Sequence, residues 1–104
     1  MSQELICAMR SLVVKGLITF TDHARSRMFE RGIDSDAVIN LIMDGEIIEC
    51  YPESSPCPSA LILGFREGRA CHVVAALCRG RVKIVTVYWP DKDAWSDFRW
   101  RRCR

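Results

Sequence analysis

The hydrophobic pattern of the chain changes its period once, at Asp44-Gly45, and this change most constrains the fold. Before it, apolar residues recur at helical spacing, and after it they lie in short β-rich runs separated by turns. Strands joined by short glycine-containing links pair as antiparallel neighbours. The pattern therefore predicts an α+β fold with N-terminal helices followed by a four-stranded antiparallel β-meander. The chain has 104 residues and no internal repeat, so we expect residues 1–104 to form a single domain.

The predicted elements follow from glycine stops, caps and turn residues. The first helix covers residues 3–15 and the second covers residues 21–32, with residues 17–20 as a connector between them. The third helix begins after a cap at Asp34 or Ser35 and ends at Asp44-Gly45. The strands cover residues 47–51, 60–65, 71–78 and 82–89, and a Pro/Ser-rich loop occupies residues 52–59. If both hairpin turns contain two residues, one sheet face carries Leu63, His72 and Val87, and the other carries Gly64, Cys71 and Tyr88. A glycine bulge would shift one register and swap these faces, so the face assignment stays open.

The second helix is unusually polar. At about 100° per residue, His23, Arg27, Glu30 and Arg31 fall within roughly a third of its circumference. Only a thin apolar edge beside them is left for packing. We interpret this arc as a surface that presents groups to an anionic partner. The alternative is a solvated helix face on which Glu30 pairs with one of the two arginines.

Composition adds weaker constraints. The formal net charge is only +2, but 12 of the 15 basic residues are arginine, which binds phosphate bidentately. Codon usage in a GC-rich genome is the alternative explanation for that excess. We expect no membrane span and no signal peptide, hence a cytoplasmic protein with its six cysteines reduced. No closely spaced cysteine pair predicts a zinc site, so we expect neither metal nor cofactor, although a site assembled in three dimensions remains an alternative.

Several motifs together resemble a known family. They are His23-Ala24-Arg25-x-Arg27-Met28-x-Glu30-Arg31-Gly32-Ile33, Asp44-Gly45-Glu46-Ile47-Ile48, Tyr51-Pro52, Cys71-His72-Val73-Val74 and Ile84-x-Thr86-x-Tyr88. Over about residues 18–95 the chain resembles a bacterial and archaeal family of small uncharacterised domains in the RelE/BrnT-like superfamily of ribonuclease toxins. The resemblance implies a compact helix-plus-antiparallel-sheet fold, cleavage of messenger RNA and control by an antitoxin-like partner protein. The basic aromatic tail at residues 96–104 lies outside the resemblance.

Metal-independent RNA cleavage requires a base, an acid and cations around one phosphodiester. The candidate catalytic residues are His23, Arg27, Glu30, Arg31, His72 and Tyr88. The candidate RNA-binding residues are Arg25, Trp100, Arg101 and Arg102, whereas Trp95 and Phe98 are expected to pack on the sheet. A hydrogen-bonded core histidine is an equally good interpretation of His72. The leading hypothesis is a toxin-type endoribonuclease, and the alternative is a non-catalytic domain that binds RNA or protein.

Overall fold

The computed structural model describes residues 2–91 and 95–101, and over these ranges the protein is an α+β domain, as predicted. In chain order the elements are α1 (Ser2–Val14), β1 (Ile18–Phe20), α2 (Asp22–Arg31), α3 (Ser35–Asp44), β2 (Glu46–Tyr51), β3 (Ser59–Arg66), β4 (Arg69–Cys78), β5 (Arg81–Tyr88), β6 (Trp95–Ser96) and β7 (Trp100–Arg101). The three predicted helices and four predicted strands all form. Within the described ranges, no helix is both long and apolar enough to cross a membrane.

The main sheet has five strands in the order β1-β5-β4-β3-β2 and is mixed, so the prediction of a four-stranded antiparallel meander was incomplete. The segment predicted as a connector forms β1, which runs parallel to β5 with Ile18 opposite Val82 and Phe20 opposite Ile84. Edge backbone groups of β5 gain hydrogen-bond partners in this way. Three residues carry too little periodicity to distinguish such a strand from a connector.

The helices cover one face of the sheet, with α2 against β5 and α3 against β3. The helices contribute the buried side chains of Met9, Ala24, Met28, Val38 and Ile42 to the shared core. The sheet contributes alternate residues of its three central strands, namely Ala60, Ile62, Cys71, Val73, Ala75, Val82, Ile84 and Val87. Side chains that alternate with these point to the opposite face.

This packing corrects the predicted face assignment. His72 lies opposite Leu63 on β3 and opposite Tyr88 on β5, so those three residues share the face away from the helices. Val87 instead lies opposite Val73, on the helix face. Both hairpin turns do have two residues with positive φ, as in tight primed turns. The register shifts within the strands, between Val74 and Ala75, where β5 carries one extra residue.

The C-terminal segment packs on the face away from the helices. Trp95 is buried, and its ring meets that of His72 edge-on at a centroid distance of 4.6 Å. The Phe98 carbonyl oxygen accepts a hydrogen bond from Nε2 of His72 at 2.7 Å. The expectation that Trp95 packs on the sheet is therefore confirmed, and its contact helps to bury His72.

The cysteines differ from the expectation of six reduced thiols, because a disulfide joins Cys57 to Cys78 with a Cα–Cα distance of 5.5 Å. The loop after β2 runs alongside the end of β4, where the Leu77 amide donates to the Pro58 carbonyl at 2.9 Å. This contact between distant segments brings the two cysteines together. Among the other described cysteines, Cys7 and Cys50 are exposed and Cys71 is buried.

Candidate functional site

The polar helix α2 is fixed at both ends by local signals that the sequence predicted. Thr21 is its N-cap, and its Oγ1 accepts a hydrogen bond from the Ala24 amide at 3.0 Å. The same hydroxyl donates to the Val85 carbonyl at 2.9 Å, which ties the start of α2 to β5. Gly32 ends the helix in the left-handed conformation with φ of 65°. The helix is therefore held in a defined orientation against the sheet.

The predicted division of α2 into a thin apolar edge and a polar arc is confirmed. Ala24 and Met28 are buried in the core. His23 and Glu30 are exposed, whereas Arg27 and Arg31 are partly exposed. The arc therefore combines an accessible imidazole with two guanidinium groups on one rigid element.

His23 is anchored to the sheet. Its Nε2 shares a hydrogen bond of 3.0 Å with Oγ1 of Thr86 on β5. The helix scaffold and this bond together restrict the orientation of an imidazole that remains exposed to solvent. A histidine held in this way is suited to proton transfer, because an imidazole ring can both accept and donate a proton.

Glu30 is engaged by the arginines of the same arc. Its Oε1 lies 2.6 Å from Nη1 of Arg27 and 3.7 Å from Nη1 of Arg31. The hydrogen bond and the charge of Arg27, with smaller effects of Arg31 and His23, hold the pKa of the Glu30 carboxyl below its usual value. A carboxylate with a lowered pKa is a weak proton acceptor. The ion pair anticipated in the alternative interpretation thus forms, and it leaves His23 as the better proton-transfer group of the arc.

His72 is enclosed in the core, in contact with Tyr88 and the C-terminal segment. His72 is 0% exposed, and its Nδ1 lies 3.1 Å from the Tyr88 hydroxyl while Nε2 donates to the Phe98 carbonyl. A carbonyl oxygen only accepts, so Nε2 of His72 carries a proton and donates it to this bond. This geometry matches the core-histidine interpretation of His72. A substrate therefore cannot reach His72, whereas the catalytic role of the partly exposed Tyr88 stays a prediction.

Of the predicted RNA-binding residues, Arg25 is the one whose side chain the structure describes. Arg25 lies two positions after His23, roughly 200° around the helix, and its guanidinium carbon is 5.5 Å from the centroid of the Phe20 ring. Arg102 lies outside the described residues, as do the side chains of Trp100 and Arg101. The structure thus separates Arg25 from the arc.

Comparison with known families places the chain in one of them. Residues 20–89 match the family described as Domain of unknown function (DUF4258). The chain belongs to the DUF4258 family. The matched region contains α2, α3 and β2 to β5, and therefore the whole α2 arc together with Thr86, His72 and Tyr88. Searches of curated proteins and of solved structures found no match.

Sequence reasoning missed three residues that border the arc of this DUF4258 domain: Thr86, Arg66 and Arg69. Thr86 belongs to one of the motifs that carried the resemblance, and its place in that motif was the available signal. Arg66 and Arg69 flank a two-residue turn, so they were identifiable as cross-strand neighbours. Their proximity to α2 depends on tertiary packing. Within the ranges 2–91 and 95–101, no group of three or more His, Cys, Asp or Glu side chains is arranged to hold a metal ion.

Proposed function

We propose that this DUF4258 domain is a toxin-type endoribonuclease that binds RNA on the α2 arc and cleaves it without a metal ion. The observation that supports the proposal is the exposed His23 imidazole, held 3.0 Å from Thr86, on the same helix face as Arg27 and Arg31. The resemblance of the motif-bearing region to RelE/BrnT-like toxins is the second support, and it extends the proposal to an antitoxin-like partner protein. RNA is the substrate class because the arc carries guanidinium groups suited to phosphate.

In the proposed reaction His23 accepts the proton of a 2′-hydroxyl while Arg27, one turn further along α2, contacts the oxygens of the same phosphate. The 2′-oxygen attacks phosphorus and the bond from phosphorus to the 5′-oxygen breaks, which leaves a 2′,3′-cyclic phosphate and a 5′-hydroxyl. The imidazolium formed in the first step supplies the proton for the leaving oxygen. The Arg27 guanidinium stabilises the extra negative charge of the phosphorane-like transition state.

The proposal predicts that His23→Ala lowers kcat for RNA cleavage by about 100-fold or more, the usual contribution of a positioned acid–base group. Ser26→Ala on the exposed side of α2 is the matched control and should cleave at the wild-type rate. The measurement is cleavage of a labelled RNA with and without a chelator, with analysis of the product ends. Cleavage that persists in His23→Ala, or that the chelator abolishes, would contradict the mechanism. In cells, wild-type expression should arrest growth and His23→Ala should relieve the arrest.

A second prediction concerns Glu30, whose carboxylate competes with RNA for Arg27. Glu30→Gln should tighten RNA binding by up to about fivefold at low salt, a change comparable to that of an exposed ion pair. Glu4→Gln, on the exposed surface of α1, makes the same change of charge away from the arc and serves as the control. Fluorescence anisotropy with labelled RNA measures the effect. Unchanged affinity combined with lost cleavage would instead assign proton transfer to Glu30.

RNA binding without cleavage is the second candidate function. The observation in its favour is that the chain has only two histidines and His72 is fully buried, so the arc offers a single imidazole. In that case the labelled RNA binds with strong salt dependence but remains intact. Binding that Arg27→Ala weakens, in the absence of any cleavage by the wild type, would support this candidate over the enzyme.

A further inference from the structure

Three arginines from three elements meet at the C-terminal end of α2. Arg31 lies in the last turn of α2, Arg66 ends β3 and Arg69 begins β4. Arg66 and Arg69 are cross-strand partners on either side of the β3–β4 turn. Nη1 of Arg66 donates to the carbonyl of Gly32 at 2.9 Å, which ties this hairpin to the residue after Arg31. We call Arg31, Arg66 and Arg69 the arginine corner.

The hydrogen-bonding capacity of the corner is incompletely used. Nη1 of Arg31 is buried and has no hydrogen-bond partner among residues 2–91 and 95–101, and the Glu30 carboxylate oxygen, 3.7 Å away, is too distant to accept from it. The Arg31 side chain as a whole is 29% exposed, so a ligand can reach it. A buried, charged donor without an acceptor is unfavourable, and an anion that supplies oxygen atoms would relieve that cost.

The orientation of Arg69 is restrained as well. Its guanidinium carbon lies 4.0 Å from the centroid of the Trp89 ring, within the range of a cation–π contact. Arg69 is exposed and Arg66 is partly exposed. The corner therefore holds two anchored guanidinium groups beside the incompletely satisfied one.

The pKa of the Cys71 thiol depends on the charges of the arginine corner. Burial raises the pKa of Cys71 to about 11, and the positive charges of Arg66, Arg31 and Arg69 each act against that rise. No carboxylate is among the groups that shift it. Arg66, Arg31 and Arg69, which come from three different elements, thus act together on this one position.

We infer that the arginine corner is a binding site for a phosphate group. Guanidinium groups bind phosphate oxygens through paired, charge-assisted hydrogen bonds. If the proposed function holds, the occupant is a phosphate of single-stranded RNA. Arg31 lies eight residues after His23, roughly 12 Å along the helix axis, so this phosphate differs from the one beside His23. The RNA strand then runs along α2 from His23 to the β3–β4 hairpin.

The test uses the full chain and two probes, inorganic phosphate and a non-cleavable 2′-O-methyl oligonucleotide. The double variant Arg66→Gln/Arg69→Gln should bind the oligonucleotide about tenfold more weakly at low salt, the loss expected for one charge-assisted hydrogen bond. It should also reduce the magnitude of the slope of log affinity against log salt by about 0.7, the value for one phosphate contact on a single strand. Inorganic phosphate should shift the NMR signals of the Arg31 side chain in the wild type and not in the double variant.

Two further variants separate charge from shape. Arg79→Gln/Arg81→Gln removes the same charge at the exposed β4–β5 hairpin and should leave both probes at wild-type affinity. Arg66→Lys/Arg69→Lys keeps the charge and should keep the salt slope. Phosphate binding without oligonucleotide binding would retain this site and reject RNA as the substrate. An equal loss in the control variant, or no phosphate-induced shift at Arg31, would overturn the inference.

Discussion

Gly45→Ala is expected to unfold this protein, with a loss of more than about 4 kcal/mol in the free energy of unfolding. A Cβ atom at position 45 would lie 2.3 Å from the Leu41 carbonyl oxygen and 2.7 Å from that of Leu63. Both are backbone atoms, one in α3 and one in β3, so neither can move without displacing an element of the core. Since small domains have a total stability of roughly 5–15 kcal/mol, such a loss removes most of the folded population.

Gly68→Ala provides the comparison. Gly68 has φ of 80° and no atom within 4 Å of an added Cβ. Its replacement therefore lowers the free energy of unfolding only by the cost of holding alanine in the left-handed conformation, about 1 kcal/mol. Urea unfolding followed by tryptophan fluorescence measures both variants. Similar midpoints for the two alanine variants would show that α3 and β3 can separate without cost, contrary to the packing described above.

His72→Leu is expected to lower the free energy of unfolding by about 3 kcal/mol, since it removes two hydrogen bonds from a fully buried ring. It also leaves the Phe98 carbonyl oxygen without the Nε2 donor. Tyr88→Phe removes one hydroxyl from the same network and should cost about 1 kcal/mol. The two variants together measure how strongly the C-terminal segment is attached to the sheet.

The His72→Leu variant also tests whether His72 takes part in RNA cleavage. RNA cleavage per folded molecule should be unchanged in His72→Leu, because the imidazole is inaccessible to a substrate. The measurement compares kcat at a temperature where unfolding experiments show the variant to be fully folded. A large loss of kcat under those conditions would return His72 to the catalytic residues, as the sequence analysis had it.

Local signals explain the successful predictions. The Thr21 cap, the Gly32 stop and the arc between them depend on residues within one helix, and the structure reproduces them. The third helix likewise begins at a predicted cap, Asp34, whose Oδ1 accepts from the Ala37 amide at 2.8 Å. The family resemblance was confirmed as far as membership of a family of unknown function. Its proposed ribonuclease activity stays a prediction.

Non-local pairings explain what was missed. The extra residue in β5 shifts the register by one, and a shift of one residue moves a side chain to the other face of a sheet. That shift places Tyr88, and not Val87, beside His72. The three-residue strand β1 and the Cys57–Cys78 disulfide likewise depend on segments far apart in the chain.

The sequence by itself determined the three helices, the four longest strands and the polar arc of α2, because these follow from spacings of a few residues. Only the tertiary structure decided which groups join that arc. It enclosed His72 beneath Trp95, anchored His23 to Thr86 and brought Arg66 and Arg69 to the end of α2. The reason is that strand register and the docking of a helix on a sheet are set by the packing of the whole core, which no local window of sequence contains.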